Sequence, residues 1–208
     1  MNIYLFTHPE DIDEQQFNDE LLPQLPTWRR EQSLRFRFLI DRVLCAKAFI
    51  MLSEALRHDY GIADELLFDY GFHGKPTLNG HGNIHFNLSH CRKGILCVVD
   101  ETSPVGCDIE TVVDTINPNL IDNYFSLSEK TYIQCSNSPL TAFTELWTRK
   151  EAFLKYTGDG LTDNLSTILE TPLAQSLTMK TTTCDNQFAY TICGHSTKNA
   201  EPKLIQHL

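Results

Sequence analysis

Ile84-His85-Phe86-Asn87-Leu88-Ser89-His90 alternates apolar and polar side chains. A period of two belongs to a strand with one face in a core. Phe86 and Leu88 share that core face, Asn87 and Ser89 share the other, and His90 stands at the strand end. After a Cys91-Arg92-Lys93 turn, residues 94–99 form a short apolar run. Glu101-Thr102-Ser103-Pro104 is turn chemistry, and residues 105–110 read as a further strand. Together they suggest an antiparallel meander, with Pro104 near the middle of the chain as a seam between two lobes.

Outward from this stretch, residues 1–6 read as a short strand and residues 33–57 as one long helix. Leu39, Val43, Ala46 and Ile50 recur three or four apart in that helix, and Gly61 lies just past its end. Ser126-Leu127-Ser128-Glu129 opens a second helix over residues 126–135. Residues 140–156 form a third, stopped by Thr157-Gly158-Asp159-Gly160. The tail from 165 reads more as strand than helix. The class is mixed, α+β.

The chain has 208 residues, with 41% hydrophobic and 21% charged. A chain of this size buries roughly 70% of its unfolded surface, so it needs neither disulfides nor a structural metal. Disorder and low-complexity architecture are excluded. The net charge of −10 argues against nucleic-acid binding, and no apolar run reaches the length of a membrane span. No signal peptide is read at the N-terminus, and a cytoplasmic location is expected. The seven cysteines are odd in number and lack a C-x-x-C pair, and the eight histidines are scattered. Buried thiols in a reducing compartment are therefore expected, and zinc is disfavoured.

Residues 28–47 hold Arg29, Arg30, Arg35, Arg37, Arg42 and Lys47 against only Glu31 and Asp41. A solvated basic helix face would explain this, and so would an anionic ligand. Arg35 and Arg42 are seven apart and would share one helical face.

Four constellations can carry chemistry. In Gly106-Cys107-Asp108-Ile109-Glu110, strand alternation puts Asp108 and Glu110 on one face and Cys107 and Ile109 in the core. Paired carboxylates repel, and so call for a cation or a raised pKa. Hard oxygen ligands suit Mg²⁺ or Mn²⁺. A half-exposed acidic strand edge is the plainer alternative. In Trp147-Thr148-Arg149-Lys150-Glu151-Ala152-Phe153-Leu154-Lys155, spacing by four lines up Trp147, Glu151 and Lys155. Glu151 and Lys155 could be no more than a surface ion pair. Lastly, Gly74-Lys75-Pro76 sets a lysine in a loop stiffened by proline, and the polar face of Asn87 and Ser89 could donate to a phosphate. There is no Walker A loop, G-x-G-x-x-G fingerprint or G-x-S-x-G elbow.

Taken in order, Gly-Lys-Pro, Phe-Asn-Leu-Ser-His, Gly-Cys-Asp-Ile-Glu and Trp-x-x-Lys-Glu-Ala-x-x-Lys-x-x-Gly resemble the long, pseudodimeric (Sfp-type) phosphopantetheinyl transferases. The likeness runs from about residue 28 to Gly160-Leu161. It implies two similar α+β lobes, 1–103 and 104–208, related by a pseudo-twofold with the active site in the cleft, and a monomer. It also implies transfer of 4′-phosphopantetheine from coenzyme A to a serine of an apo acyl or peptidyl carrier protein, releasing 3′,5′-ADP. By position, Asp108, Glu110 and Glu151 would ligate Mg²⁺, and Lys155 would face the leaving phosphate. Lys75, Ser89 and His90 would hold coenzyme A, with Arg42 on its 3′-phosphate. Glu151, directly or through metal-bound water, would be the base. Arg29 and Arg30 match the family's upstream basic residues less well, by about one residue in spacing. A relative that binds coenzyme A or carrier protein without turnover is the alternative from another class, and a metal-dependent phosphate hydrolase is a third reading from the carboxylates alone. Carrier proteins are usually acidic, so a chain of net −10 would dock one through a local basic or apolar patch.

Overall fold

The computed structural model describes residues 1–160, 164–196 and 201–205. The chain opens with β1 (Asn2–Thr7), a short α1 (Glu14–Gln16), α2 (Thr27–Leu34) and the long α3 (Leu39–Tyr60). The small hairpin β2 (Phe68–Tyr70) and β3 (Pro76–Leu78) leads to β4 (His85–Cys91), β5 (Gly94–Asp100) and β6 (Gly106–Thr111). Then come α4 (Pro118–Tyr124), α5 (Leu127–Cys135), α6 (Pro139–Thr157), α7 (Pro172–Ser176), β7 (Thr178–Cys184), β8 (Phe188–Gly194) and β9 (Lys203–Leu204).

One sheet has the order β4-β5-β1-β9 and another β6-β8-β7. In the first, β1 and β4 both run antiparallel to β5, with Phe86 opposite Val99 and Tyr4 opposite Cys97, while β9 joins β1 in parallel. In the second, β8 is flanked antiparallel by β6 and β7. Alternation gives each sheet two apolar faces. Phe6, Ile95, Cys97, Val99 and Phe86 pack under Val43, Ala46, Ile50 and Met51 of α3. Ile3, Leu5, Leu96 and Val98 face the other way, against Val105, Cys107, Ile109, Tyr190 and Ile192. Beyond the second sheet, Cys193 and Met179 meet Ala152, Phe153 and Tyr156 of α6. The layers run helix, sheet, sheet, helix, and the middle apolar layer is shared by residues from both sides of Pro104.

Three sequence expectations are corrected. The meander ends at Pro104, because β6 leaves β5 and pairs with β8 instead. The helix expected over 33–57 is two helices, and α3 begins only at Leu39. Arg35-Phe36-Arg37-Phe38 alternates basic with aromatic residues and presents no apolar helical stripe to bury, and all four are exposed in the link. Arg35 caps α2 while Arg42 sits in the first turn of α3, so the two do not share a helical face. The tail after 164 is more strand than helix, as expected: a 3-10 segment (Leu165–Glu170) and the short α7 come first, and β7, β8 and β9 follow. Leu161, the last residue of the motif match, lies outside the described residues.

Six of the expectations on local structure hold. Strand β1 is present, and Asn87 and Ser89 lie opposite Phe86 and Leu88 in direction. Cys107 and Ile109 are in the core, and Gly158 terminates α6 at φ 77°. The Ser126–Glu129 capping box opens α5, and all seven cysteines are free thiols, although Cys135 is exposed and Cys184 half-buried where buried thiols were expected. Among the described residues no helix is long and apolar enough to cross a membrane.

Candidate active site

The free edges of the two sheets, β4 and β6, meet along a seam. An edge strand points alternate N–H groups away from its ladder partner, and these need acceptors. Here β4 supplies side chains in place of a ladder. Cys107 N–H donates to Asn87 Oδ1 at 2.8 Å, and Ile109 N–H donates to Ser89 Oγ at 3.3 Å. The residue between these two pins is Asp108.

Asp108 is 2% exposed, which removes the half-exposed strand edge as an explanation. Its Oδ1 accepts from Ser89 Oγ at 2.8 Å and from Lys155 Nζ at 2.6 Å, and Lys155 Nζ also donates to Ser89 Oγ at 2.9 Å. Lys155 therefore pairs across the seam with Asp108 instead of forming a surface pair with Glu151. The approach of α6 to β6 depends on Gly106. A Cβ there would stand 2.1 Å from the Ala152 carbonyl oxygen and 2.4 Å from Tyr156 N, both backbone atoms that cannot swing aside.

The charges of the site act on one another. Burial pushes the Glu110 carboxyl up to about 7, with the Asp108 and Glu151 charges adding to it. Glu151 is raised by the same desolvation and by Asp108. Burial would lower Lys155, but the charge and hydrogen bond of Asp108 outweigh it and hold the ammonium above its ordinary value. Desolvation, with the Lys155 charge behind it, lowers His90, although the residue stays exposed at the end of β4. The Cys107 thiol, pushed up to about 12 by burial, is inert.

A cavity of about 340 Å³ opens beside the seam, lined by Lys75, Asn87, Glu151, Lys155, Gly158 and Gly160 among others. Lys75 lies along its wall with its amine engaged, donating to the carbonyls of Tyr156 at 2.8 Å and Val105 at 3.2 Å. That ties the β2–β3 hairpin to the C-terminal end of α6, where a cation is favoured. Desolvation lowers its pKa.

Of the expected residues, Ser89, Asp108 and Lys155 are in direct contact, and Glu110 and Glu151 share their field. His90 follows Ser89 on β4. Lys75 and Glu151 line the cavity. Arg42 does not line it: its Nε donates to the Phe36 carbonyl at 2.9 Å, closing the α2–α3 link. Arg29, whose guanidinium bonds Gln32 and the Cys45 carbonyl, adds a small part to the lowering of His90. Sequence reading gave Gly106 no separate role, and it saw Asn87 only as part of a polar face that could donate to a phosphate, without its tie to the Cys107 N–H. Parity could have found both, since Gly106 shares a face with Asp108 and Asn87 shares one with Ser89.

For a divalent cation, the donors have the right chemistry. Asp108 Oδ2 is buried without a hydrogen-bond partner among the described residues, amid two further carboxylates held above their ordinary pKa. An orphaned anionic oxygen in an all-oxygen set is what Mg²⁺ or Mn²⁺ satisfies. The set is not preassembled: among the described residues, no three His, Cys, Asp or Glu side chains are grouped as a metal site. In its place the Lys155 ammonium supplies the counter-charge to Asp108.

A family model described as "4′-phosphopantetheinyl transferase superfamily" matches residues 104–202. The 4′-phosphopantetheinyl transferase psf-1 of Bacillus pumilus is 31% identical over 153 residues, covering 71% of this chain and 64% of that protein. AcpT of Salmonella typhimurium is 33% identical over 146 residues, 69% of this chain and 67% of its own length. HetI of Nostoc sp. is 30% identical over 166 residues, 76% and 70% respectively. The chain thus spans somewhat under two thirds of the first of these relatives.

Proposed function

The chain belongs to the 4′-phosphopantetheinyl transferase superfamily, and from that premise we propose that it transfers 4′-phosphopantetheine from coenzyme A to a serine of an apo carrier protein. The serine oxygen forms a bond to the β-phosphorus of the pyrophosphate. The bond from that phosphorus to the bridging oxygen breaks, and 3′,5′-ADP leaves with the electron pair. The observation that carries this reading is the seam itself, where Lys155 bridges Ser89 and Asp108 beside two carboxylates of raised pKa.

Phosphoryl-type transfer asks for positioning and charge compensation more than covalent chemistry. Asp108, Glu110 and Glu151 would hold Mg²⁺ or Mn²⁺. When bound, the ion offsets charge on the pyrophosphate. Lys155 faces the departing phosphate, and its ammonium stays charged across the working pH range because Asp108 holds its pKa up. Glu151 takes the proton of the serine hydroxyl, and its raised pKa makes it a stronger base than an ordinary carboxylate. Ser89, His90 and the stem of Lys75 hold coenzyme A, and Arg42 turns from the Phe36 carbonyl to its 3′-phosphate. On this reading the lobes are 1–103 and 104–208, related by a pseudo-twofold, with β9 of the second lobe added to the edge of the first lobe's sheet. The enzyme works as a cytoplasmic monomer.

Intact-mass measurement of apo carrier proteins incubated with the chain, coenzyme A and Mg²⁺ tests the proposal. A gain of one phosphopantetheine, abolished in Lys155→Ala, is expected. Failure to modify any member of a panel of acyl and peptidyl carrier proteins would overturn it.

A further inference from the structure

Asn87 carries two functions in one side chain. It is 6% exposed, and its Oδ1 is committed to the Cys107 N–H at 2.8 Å. This bond fixes the amide orientation, because an N–H can only be met by the oxygen. Nδ2, with two hydrogens to give, must then be the other end of the group. It has no hydrogen-bond partner among the described residues, and it is not one of the enclosed side-chain atoms left without a partner. The residue lines the cavity together with Glu151 and Lys155. The same side chain thus pins β6 next to Asp108 and leaves a fixed, unspent donor at the reacting end of the cavity.

We infer that Asn87 contacts substrate: its Nδ2 donates a hydrogen bond to an oxygen of the phosphopantetheine half of coenzyme A. The inference rests on the transferase reading and adds a ligand contact to it. The phosphopantetheine half is chosen because Glu151 and Lys155, the groups assigned to proton and leaving-group charge, share the wall with Asn87. A neutral donor suits this place. Three carboxylates already crowd the seam, and the amide can bind an acceptor oxygen without adding charge. Its aim costs little to maintain, because the bond from Cys107 holds the amide plane before ligand arrives.

Two substitutions separate the pin from the donor. Asn87→Asp keeps an acceptor for the Cys107 N–H in nearly the same shape and replaces the donor by oxygen. Asn87→Ala removes both and leaves a buried N–H unsatisfied. Calorimetric titration with coenzyme A and with 3′,5′-ADP supplies the second axis, since 3′,5′-ADP lacks the phosphopantetheine half yet is also anionic. In Asn87→Asp, coenzyme A should bind about tenfold more weakly, consistent with one lost hydrogen bond near 1.4 kcal/mol, while 3′,5′-ADP changes less than threefold. Asn87→Ala should show the same ligand selectivity and also a lower Tm. Equal weakening of both ligands in Asn87→Asp would mean only added charge, and no weakening would mean only a structural pin; either overturns the inference and leaves the transferase reading standing. Wild-type chain that binds neither ligand would overturn both.

Discussion

Glu110 shows what one buried carboxyl does to the whole chain. Its pKa is about 7 in the folded protein against an ordinary 4.5, so the folded state holds a proton there that the unfolded state has released. Stability contributed by this group is full below about 4.5 and is lost as pH rises towards 7. His90, whose pKa is lowered, acts in the opposite sense below its ordinary value of 6.5, so the raw pH curve mixes the two. The difference between wild type and Glu110→Gln isolates the carboxyl. Melting curves without metal should show wild type losing Tm relative to Glu110→Gln between pH 5 and 8, at about 2–4 °C per kcal/mol for this chain length. Added Mg²⁺ should raise wild-type Tm more at pH 8 than at pH 6, because only the ionised carboxyl is a ligand. Parallel curves for the two proteins would remove Glu110 from the charge cluster. The pairing of Asp108 with Glu110 was legible in the sequence because a strand leaves no freedom in parity. The contact of Lys155 with Asp108 was not, since spacing within a helix says nothing about which strand the helix covers.

Between elements, the decisive contact is α6 on β6. Gly106 is needed there for space and not for its backbone angle, as it is absent from the glycines with positive φ. Gly106→Ala should push α6 outward and carry Glu151 and Lys155 away from Asp108. The steric cost is of the kind that overpacked cores show, typically about 1–3 kcal/mol. A Tm drop of several degrees and at least a tenfold loss of transfer are expected together, read by calorimetry and by the intact-mass assay. A variant with unchanged Tm and turnover would show that the helix does not depend on this approach. The C-terminal end of α6 was readable from Gly158, whose φ of 77° favours a residue without Cβ. The start of α3 was not. Apolar spacing over residues 39–56 was extended backwards through Arg35-Phe36-Arg37-Phe38, which has no apolar stripe to bury and is exposed.

At the scale of the molecule, the question is whether the two sheet-and-helix units behave as one cooperative body. Sequence suggested a seam at Pro104, and the chain does change sheets there. What the sequence could not show is that Ile3, Leu5, Leu96 and Val98 on one side and Cys107, Ile109, Tyr190 and Ile192 on the other share one apolar layer, because burial between two sheets leaves the same alternating signature as burial under a helix. Strand β9 adds a second tie, carrying the tail back to β1. Neither unit can leave the other without exposing that layer, so unfolding should be a single transition. The two tryptophans report on the two units separately. Trp28 packs edge-on against Phe49 and Phe68, and Trp147 stacks on Phe143 at 6.3 Å between ring centres. Urea titrations of Trp28→Phe and Trp147→Phe, each followed by the fluorescence of the remaining tryptophan and by far-ultraviolet circular dichroism, should give coincident midpoints within each variant. Two separated transitions, with the Trp28 signal leaving the Trp147 signal behind, would mean that the shared layer contributes little and that the units are independent lobes resting side by side. Sedimentation of the same samples adds the remaining test: with both faces of the inner layer covered inside one chain, the protein should run as a monomer at micromolar concentration.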